Sequence, residues 1–280
     1  MGMALAINTN MGSIRAQRNL SGTNRALNQN IQRLSSGLRL NSAADDAAGM
    51  AVSTGLRAQL RGYQQALRNT NDGTSILQTT EGAYATIAEM LTRMRELAVQ
   101  SASDGLGNKD RNYLDTEFQD IIQDLNRISA VTEYNGQKLL DGTAGDGSGN
   151  MVFQVGMRNT GNDRITITLA ELDASGLGVA ATGVSSLALS QSAITIIDNA
   201  LDTLSIDRTE VGSKLNKLAN AATNLGISVE NISASDSTIR DVDMASESAS
   251  FAKQQVLQQA GVAMLSTANQ MPNLALRLLG

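Results

Sequence analysis

The chain has 280 residues with no His, Cys or Trp, a single Pro and 2% aromatics, and its 22 Lys/Arg against 27 Asp/Glu leave a net charge of −5. That inventory excludes zinc sites, Ser–His and Cys–His nucleophiles, and disulfide exchange. The acidic balance argues against nucleic acid as the main partner.

With so few rings to fill a globular centre, the chain must pack on Leu, Ile, Val, Ala and Met, which suits thin helix–helix seams. Residues 1–44 hold Arg15, Arg18, Arg25, Arg33 and Arg39 and no acid. Leu20, Leu27, Ile31, Leu34 and Leu38 lay a thin apolar stripe along this arm. A basic, acid-free start is also the mark of a presequence or a membrane-surface helix. The frequent Asn and Gln and the thin stripe argue against both. No apolar run is long enough for a signal-peptide core or a membrane span. The expectation is therefore no membrane partner and, if the protein leaves the cell, a route other than general secretion.

A helix start is read at Ser42, with Asp45 three residues on as in a capping box, and again at Thr238 with Asp241. Leu77, Thr80, Tyr84, Ile87, Leu91, Met94 and Ala98 then alternate steps of three and four, as do Leu114, Phe118, Ile121, Leu125 and Ile128. The Gly-rich run Asp141–Asn150 lacks the lysine of a phosphate loop and the spacing of a calcium loop, so it reads as a flexible turn. Helical periodicity stops across 141–190. Within it, Phe153, Val155 and Met157 alternate with polar or small neighbours, as do Ile165, Ile167 and Leu169. The turn-rich Arg158–Asp163 between them predicts a β-hairpin.

The longest ladder follows, from Ile197 through Leu201, Leu204, Arg208, Val211, Leu215, Leu218, Ala222, Leu225, Val229, Ile232 and Asp236 to Ile239. A 3.5-residue repeat buries one narrow side of a helix against other helices. Arg208 interrupts it and is either paired with a carboxylate or, the favoured reading, at a bundle end, where its charge reaches water. Val242, Ala245, Ala249, Ala252, Val256, Ala260 and Ala263 continue the stripe into the second arm. The expected fold is mainly α: a long antiparallel helical coiled-coil bundle with a small β-hairpin near 151–170, its N- and C-terminal arms paired at one end. The expected domains are 1–44 with 240–280, and 45–239. Weakly apolar arms of this kind gain little by folding alone and fit segments that order when many copies pack.

Five stretches carry a family resemblance: QRLSSGLRLNSAADDAAGMAVS (Gln32–Ser53), NDGTSILQTTEGA (Asn71–Ala83), RMRELAVQSA (Arg93–Ala102), EYNGQKLLDG (Glu133–Gly142), and the run from Ile239 to Leu279. In these the chain closely resembles bacterial flagellin, over nearly everything except 143–190. It departs at its ends, beginning Met1–Gly2–Met3–Ala4 where one Met before Ala is usual, and closing on Gly280 where Arg is common. It also lacks the large outer domains of many flagellins.

The resemblance implies a structural subunit that polymerises with copies of itself into the extracellular flagellar filament, without enzymatic activity or cofactor. It implies export through the flagellar type III apparatus without a cleaved signal peptide. The implied partners are an export chaperone on the C-terminal arm, the filament cap and the hook-associated junction protein. A vertebrate Toll-like receptor is implied to bind Arg93, Leu97 and Glu117, with Leu97 at the surface off the seam. The plant flagellin receptor is implied to read Gln32–Ser53. Outer hydroxyls such as Thr143, Ser148, Thr182 and Ser185 are candidate sites for sugars, with an unmodified polar loop as the equal alternative. The alternatives are the hook–filament junction protein, a signalling coiled coil and an enzyme.

Overall fold

The computed structural model describes residues 9–279, with side chains described through residue 271. The chain forms two compact units, one of residues 1–58 with 231–280, the other of residues 59–230. The divisions fall inside two long helices, α2 (Ala47–Ser101) and α5 (Leu187–Arg240). They lie farther into those helices than the 44/45 and 239/240 boundaries read from the sequence.

The body, 59–230, is built on antiparallel α2 and α5. Glu81 pairs with Arg208, and Arg95 with Asp198, so positions rising along one helix fall along the other. The α3 helix (Asn108–Val131) returns beside α2 and joins Phe118, Ile122 and Leu125 to the core. Arg111 secures the turn between them. Its Nε donates to the Ser101 carbonyl (2.9 Å) and its Nη2 to that of Ser103 (2.8 Å), where α2 ends and leaves carbonyls unpaired.

Leu77, Thr80, Tyr84, Ile87, Leu91, Met94 and Ala98 of α2 are all fully buried. The α5 ladder is graded. Ile197, Leu204, Val211, Leu218 and Leu225, seven apart, are buried, while Leu201 and Leu215 between them and Val229 beyond them are half-buried. Seven-residue spacing returns a side chain to nearly the same side of the helix, so one file faces inward and the other lies along its edge.

Two small hairpins cover the bundle. β1 (Glu133–Tyr134) and β2 (Gln137–Lys138) pair through Asn135–Gly136, both at positive φ (52° and 78°), the pattern of a tight hairpin turn. After the single turn α4 (Ala144–Gly147), β3 (Asn150–Gln154) pairs antiparallel with β4 (Arg164–Thr168) in the register Val152–Thr166. The expected hairpin is therefore present, but Val155 and Met157 lie beyond its first strand. Phe153 sits against α2 at Gly73, where any Cβ would lie 3.0 Å from its ring.

Residues 169–184 are not a free loop. Leu169, Leu172, Ala174, Leu177, Val179 and Val184 are buried. α3 holds the segment through Asn126 to Ala174 N (2.9 Å), Gln119 to the Thr182 carbonyl (2.9 Å) and Asp115 to Val184 N (2.6 Å).

Both expected helix starts are corrected. Asp46, not Ser42, caps α2, its Oδ1 accepting from Ala48 N and Gly49 N (both 3.0 Å). Asp45 turns back to accept from Asn41 N and Ser42 N. α5 runs on to Arg240, and Asp243 caps α6 (Met244–Leu279) through Ala245 N and Ser246 N. In both places the sequence offers two acids close together, and the one nearer the helix serves.

Candidate functional site: the paired arms and the body face

The first unit is dominated by α1 (Met11–Ser36) against α6. Asn10 caps α1 through Ser13 N (3.0 Å) and sends its amide to the Ala268 carbonyl (2.7 Å). Ser13 meets Asn269 (2.7 Å), Asn24 meets Gln258 (2.9 Å), and Arg33 lies 3.9 Å from Glu247. Rising positions on one arm meet falling ones on the other, so the arms are antiparallel. With its amide oriented to satisfy its neighbours, Asn30 donates to Glu247 (3.0 Å) and accepts from Phe251 N (3.2 Å). Beyond the helices, Leu38 bridges Asp241, and Arg39 N donates to the Arg240 carbonyl (2.6 Å).

The pair buries little. Asn30 is the only buried residue of α1, and no described residue of α6 is buried. Met11, Ile14 and Ile31 of α1 and Val256, Leu257, Val262, Met264 and Met271 of α6 remain exposed. Two helices joined by polar contacts, with this much apolar surface in water, gain too little burial to account for so much ordered chain. Exposed apolar side chains on both helices of a pair that buries almost nothing fit a surface that other copies cover.

On the body, α2 and α3 bring Arg93 and Glu117 together. Arg93 Nε and Nη2 both donate to Glu117 Oε1 (3.0 and 2.7 Å), and Nη1 donates to Glu96 (2.9 Å). Those bonds, Glu96 first and Glu117 next, raise the pKa of Arg93 above its ordinary value. Leu97 is not beside them at the surface. It is fully buried in the core, correcting its expected exposure. The body has three helices and an overlying segment, so α2 is buried over a wider arc than a two-helix seam needs.

Arg208 is likewise not at a bundle end. Its Nε and Nη2 both donate to Glu81 Oε1 (3.0 and 2.6 Å), mid-helix on both sides. Of the hydroxyls expected outside, Thr143 and Ser148 are exposed and Ser185 is half-buried. Thr182 is buried, a correction that follows from the segment's attachment to α3. No cluster of metal-ligating side chains occurs among the described residues, and no helix there is long and apolar enough to cross a membrane.

A unit of paired arms with exposed apolar residues and a separate helical unit define a class of subunit built to assemble. Comparison with known proteins specifies the family. Residues 7–145 match the bacterial flagellin N-terminal helical region and residues 194–279 its C-terminal helical region. A flagellin of Halalkalibacterium halodurans is 42% identical over 278 residues, spanning 98% of this chain and 100% of the relative. The flagellin of Bacillus subtilis is 36% identical over 305 residues, again 98% and 100%. A flagellar filament core protein of Brachyspira hyodysenteriae is 40% identical over 284 residues, with the same two shares. Among solved structures, Bacillus cereus flagellin superposes with a TM-score of 0.50 at 30% identity, over 56% of this chain and 88% of that one. The chain belongs to the bacterial flagellin family.

Proposed function

We infer that this chain is the structural subunit of the bacterial flagellar filament, the propeller of swimming cells, and that it polymerises through its paired arms. The observation carrying this is the arm pair itself: antiparallel helices whose apolar residues stay in water unless other copies cover them. Deleting residues 1–40 or 244–280 should leave a helical monomer that no longer elongates seeded filaments. Normal filaments from either truncation would refute the assignment of the arms.

The family reading extends to an export chaperone on the C-terminal arm, a filament cap, the hook-associated junction protein, and passage through the type III apparatus without a cleaved signal peptide. It also extends to immune recognition, with Gln32–Ser53 read by the plant receptor and Arg93, Leu97 and Glu117 by the vertebrate Toll-like receptor. In the folded chain Arg93 and Glu117 are the accessible members, and Leu97 would act from beneath by fixing the helix they stand on. In a receptor-reporter assay on monomer, Arg93→Ala with Glu117→Ala should lower signalling while leaving the melting temperature nearly unchanged. Full signalling by that variant would overturn the carried-over site.

A further inference from the structure

The chain has 11 methionines and no cysteine or tryptophan, so its thioethers are the side chains that a two-electron oxidant attacks first. The structure sorts them by access. In the body, Met94 is fully buried, Met151 is nearly so, and Met90 packs half-buried against the core. Met50 is half-buried, and Met1 and Met3 lie outside the described residues. The exposed ones are Met157, beside the β3–β4 hairpin, and Met11, Met244, Met264 and Met271. The last four all belong to the unit of residues 1–58 with 231–280.

Those four are 45–69% exposed. Met11 and Met244 open α1 and α6. Leu257, Met264 and Met271 follow one another at seven-residue spacing, so they form one apolar file along α6. A thioether suits a surface that another chain will cover, because it is apolar, unbranched and adaptable to the shape it meets. Oxidation reverses that property. A sulfoxide oxygen is well solvated in the free chain, but covered by apolar side chains it loses its water and gains no partner. The core uses none of the four, so the fold of a single chain is indifferent to the change while its association is not.

We propose that Met11, Met244, Met264 and Met271 form a reversible modification site: hypochlorous acid converts them to sulfoxides in the unassembled chain, and the oxidised chain no longer adds to the polymer until a methionine sulfoxide reductase restores it. The proposal rests on the filament-subunit reading, in which other copies cover the exposed apolar side chains of the arms. The sulfur lone pair attacks the chlorine of hypochlorous acid, and hydroxide leaves. Water then adds at the chlorosulfonium sulfur, and chloride and two protons depart, one of them neutralising the hydroxide. Sulfur loses two electrons, chlorine gains them, and the oxygen stays on sulfur. The reductase returns two electrons from a dithiol and releases that oxygen as water.

The full chain, treated as monomer with limiting hypochlorous acid and then quenched, tests it. Peptide mass spectrometry should find added oxygen on the four arm methionines and Met157 ahead of Met90, Met94 and Met151. The treated chain should need about tenfold more protein to elongate filament seeds. Its helical signal and melting temperature should stay unchanged, and reductase with a dithiol should restore elongation. A chain with Met11→Leu, Met244→Leu, Met264→Leu and Met271→Leu, a volume-conserving set, should elongate before treatment and continue to do so after it. Met157→Leu alone should give no protection. Should the four-site variant elongate poorly untreated, Met264→Leu with Met271→Leu replaces it, and after treatment should elongate at about threefold less protein than the treated unaltered chain. Normal elongation by chain oxidised at all four positions would overturn the proposal, as would equal loss of elongation in the Leu variants. Failure of the untreated, unaltered chain to elongate on seeds would instead overturn the filament reading itself.

Discussion

The two files of the α5 ladder make a quantitative prediction, because Leu215 and Leu218 are the same residue type three positions apart and differ only in burial. Leu218 is fully buried and Leu215 half-buried against the same core. Leu→Ala removes three carbons, worth about 0.8 kcal/mol each when buried. Leu218→Ala adds a cavity term, because the neighbouring core from α2 relaxes only in part, giving about 3 kcal/mol within the usual range of about 2–5. At Leu215 water fills the vacated space, so the cavity term vanishes and the transfer term falls to about 1 kcal/mol. For a unit of this size each kcal/mol shifts the melting temperature by about 2–4 °C. Thermal unfolding of the monomer, followed by far-ultraviolet circular dichroism at neutral pH, should show Leu218→Ala melting about 6–12 °C lower and Leu215→Ala about 2–4 °C lower. Equal shifts would refute the argument that one file of the ladder carries the bundle.

Three further outcomes are expected. Burial first, and then neighbouring Glu210, push the Asp207 carboxyl above its ordinary value, and its Oδ2 has no hydrogen-bond partner among the described residues. Because the folded pKa is the higher one, ionised Asp207 destabilises the body at neutral pH, and stability returns as pH falls through the folded pKa toward 3.8. Asp207→Asn should therefore raise the melting temperature at pH 7, and the gain should shrink to nothing below the ordinary carboxylate range; a gain independent of pH would reject a titration cause. A double-mutant cycle on Glu81 and Arg208 should give a coupling of about 0.5–1 kcal/mol, modest because both side chains are partly solvated; zero coupling would mean the pair is only geometric. The intact mass of native filament protein should exceed that of the bare polypeptide if Thr143, Ser148 or Ser185 carries sugar, and a mass equal to it rejects that modification.

Much of the fold was legible because periodicity is local. The α2 ladder names side chains that are all buried, and alternation located the β3–β4 hairpin to within a few residues. What the sequence hid is mostly partnership across distance. Arg208 reads as a break in an apolar series, and only the fold shows that Glu81, in another helix, lies opposite it. Leu97 reads as a surface residue on the assumption of one seam per helix, whereas α2 is covered from several directions. Thr182 reads as an outer hydroxyl because its segment is polar and Gly-rich, yet alternate residues of that segment dock on α3. Asn135–Gly136 was a legible signal for a hairpin that periodicity alone passed over. The basic character of α1 was visible as composition, but the reach of Arg33 to Glu247 on α6 was not.

The tip of the β3–β4 hairpin bears on how such a chain can be enlarged. Met157 to Asn162 are exposed, while the strands beneath are fastened by Phe153 at Gly73 and by Lys214 at Thr166. A foreign segment spliced between Arg158 and Gly161 would leave every core contact in place and add only loop-closure entropy, which rises by about 0.6 kcal/mol per doubling of length. The same segment placed near Leu172 or Val179 would tear residues out of the core. The hairpin tip is therefore the natural grafting point for an antigen, an enzyme or a binding loop, and in a polymer of identical copies each graft would recur at the lattice spacing as a dense, ordered display.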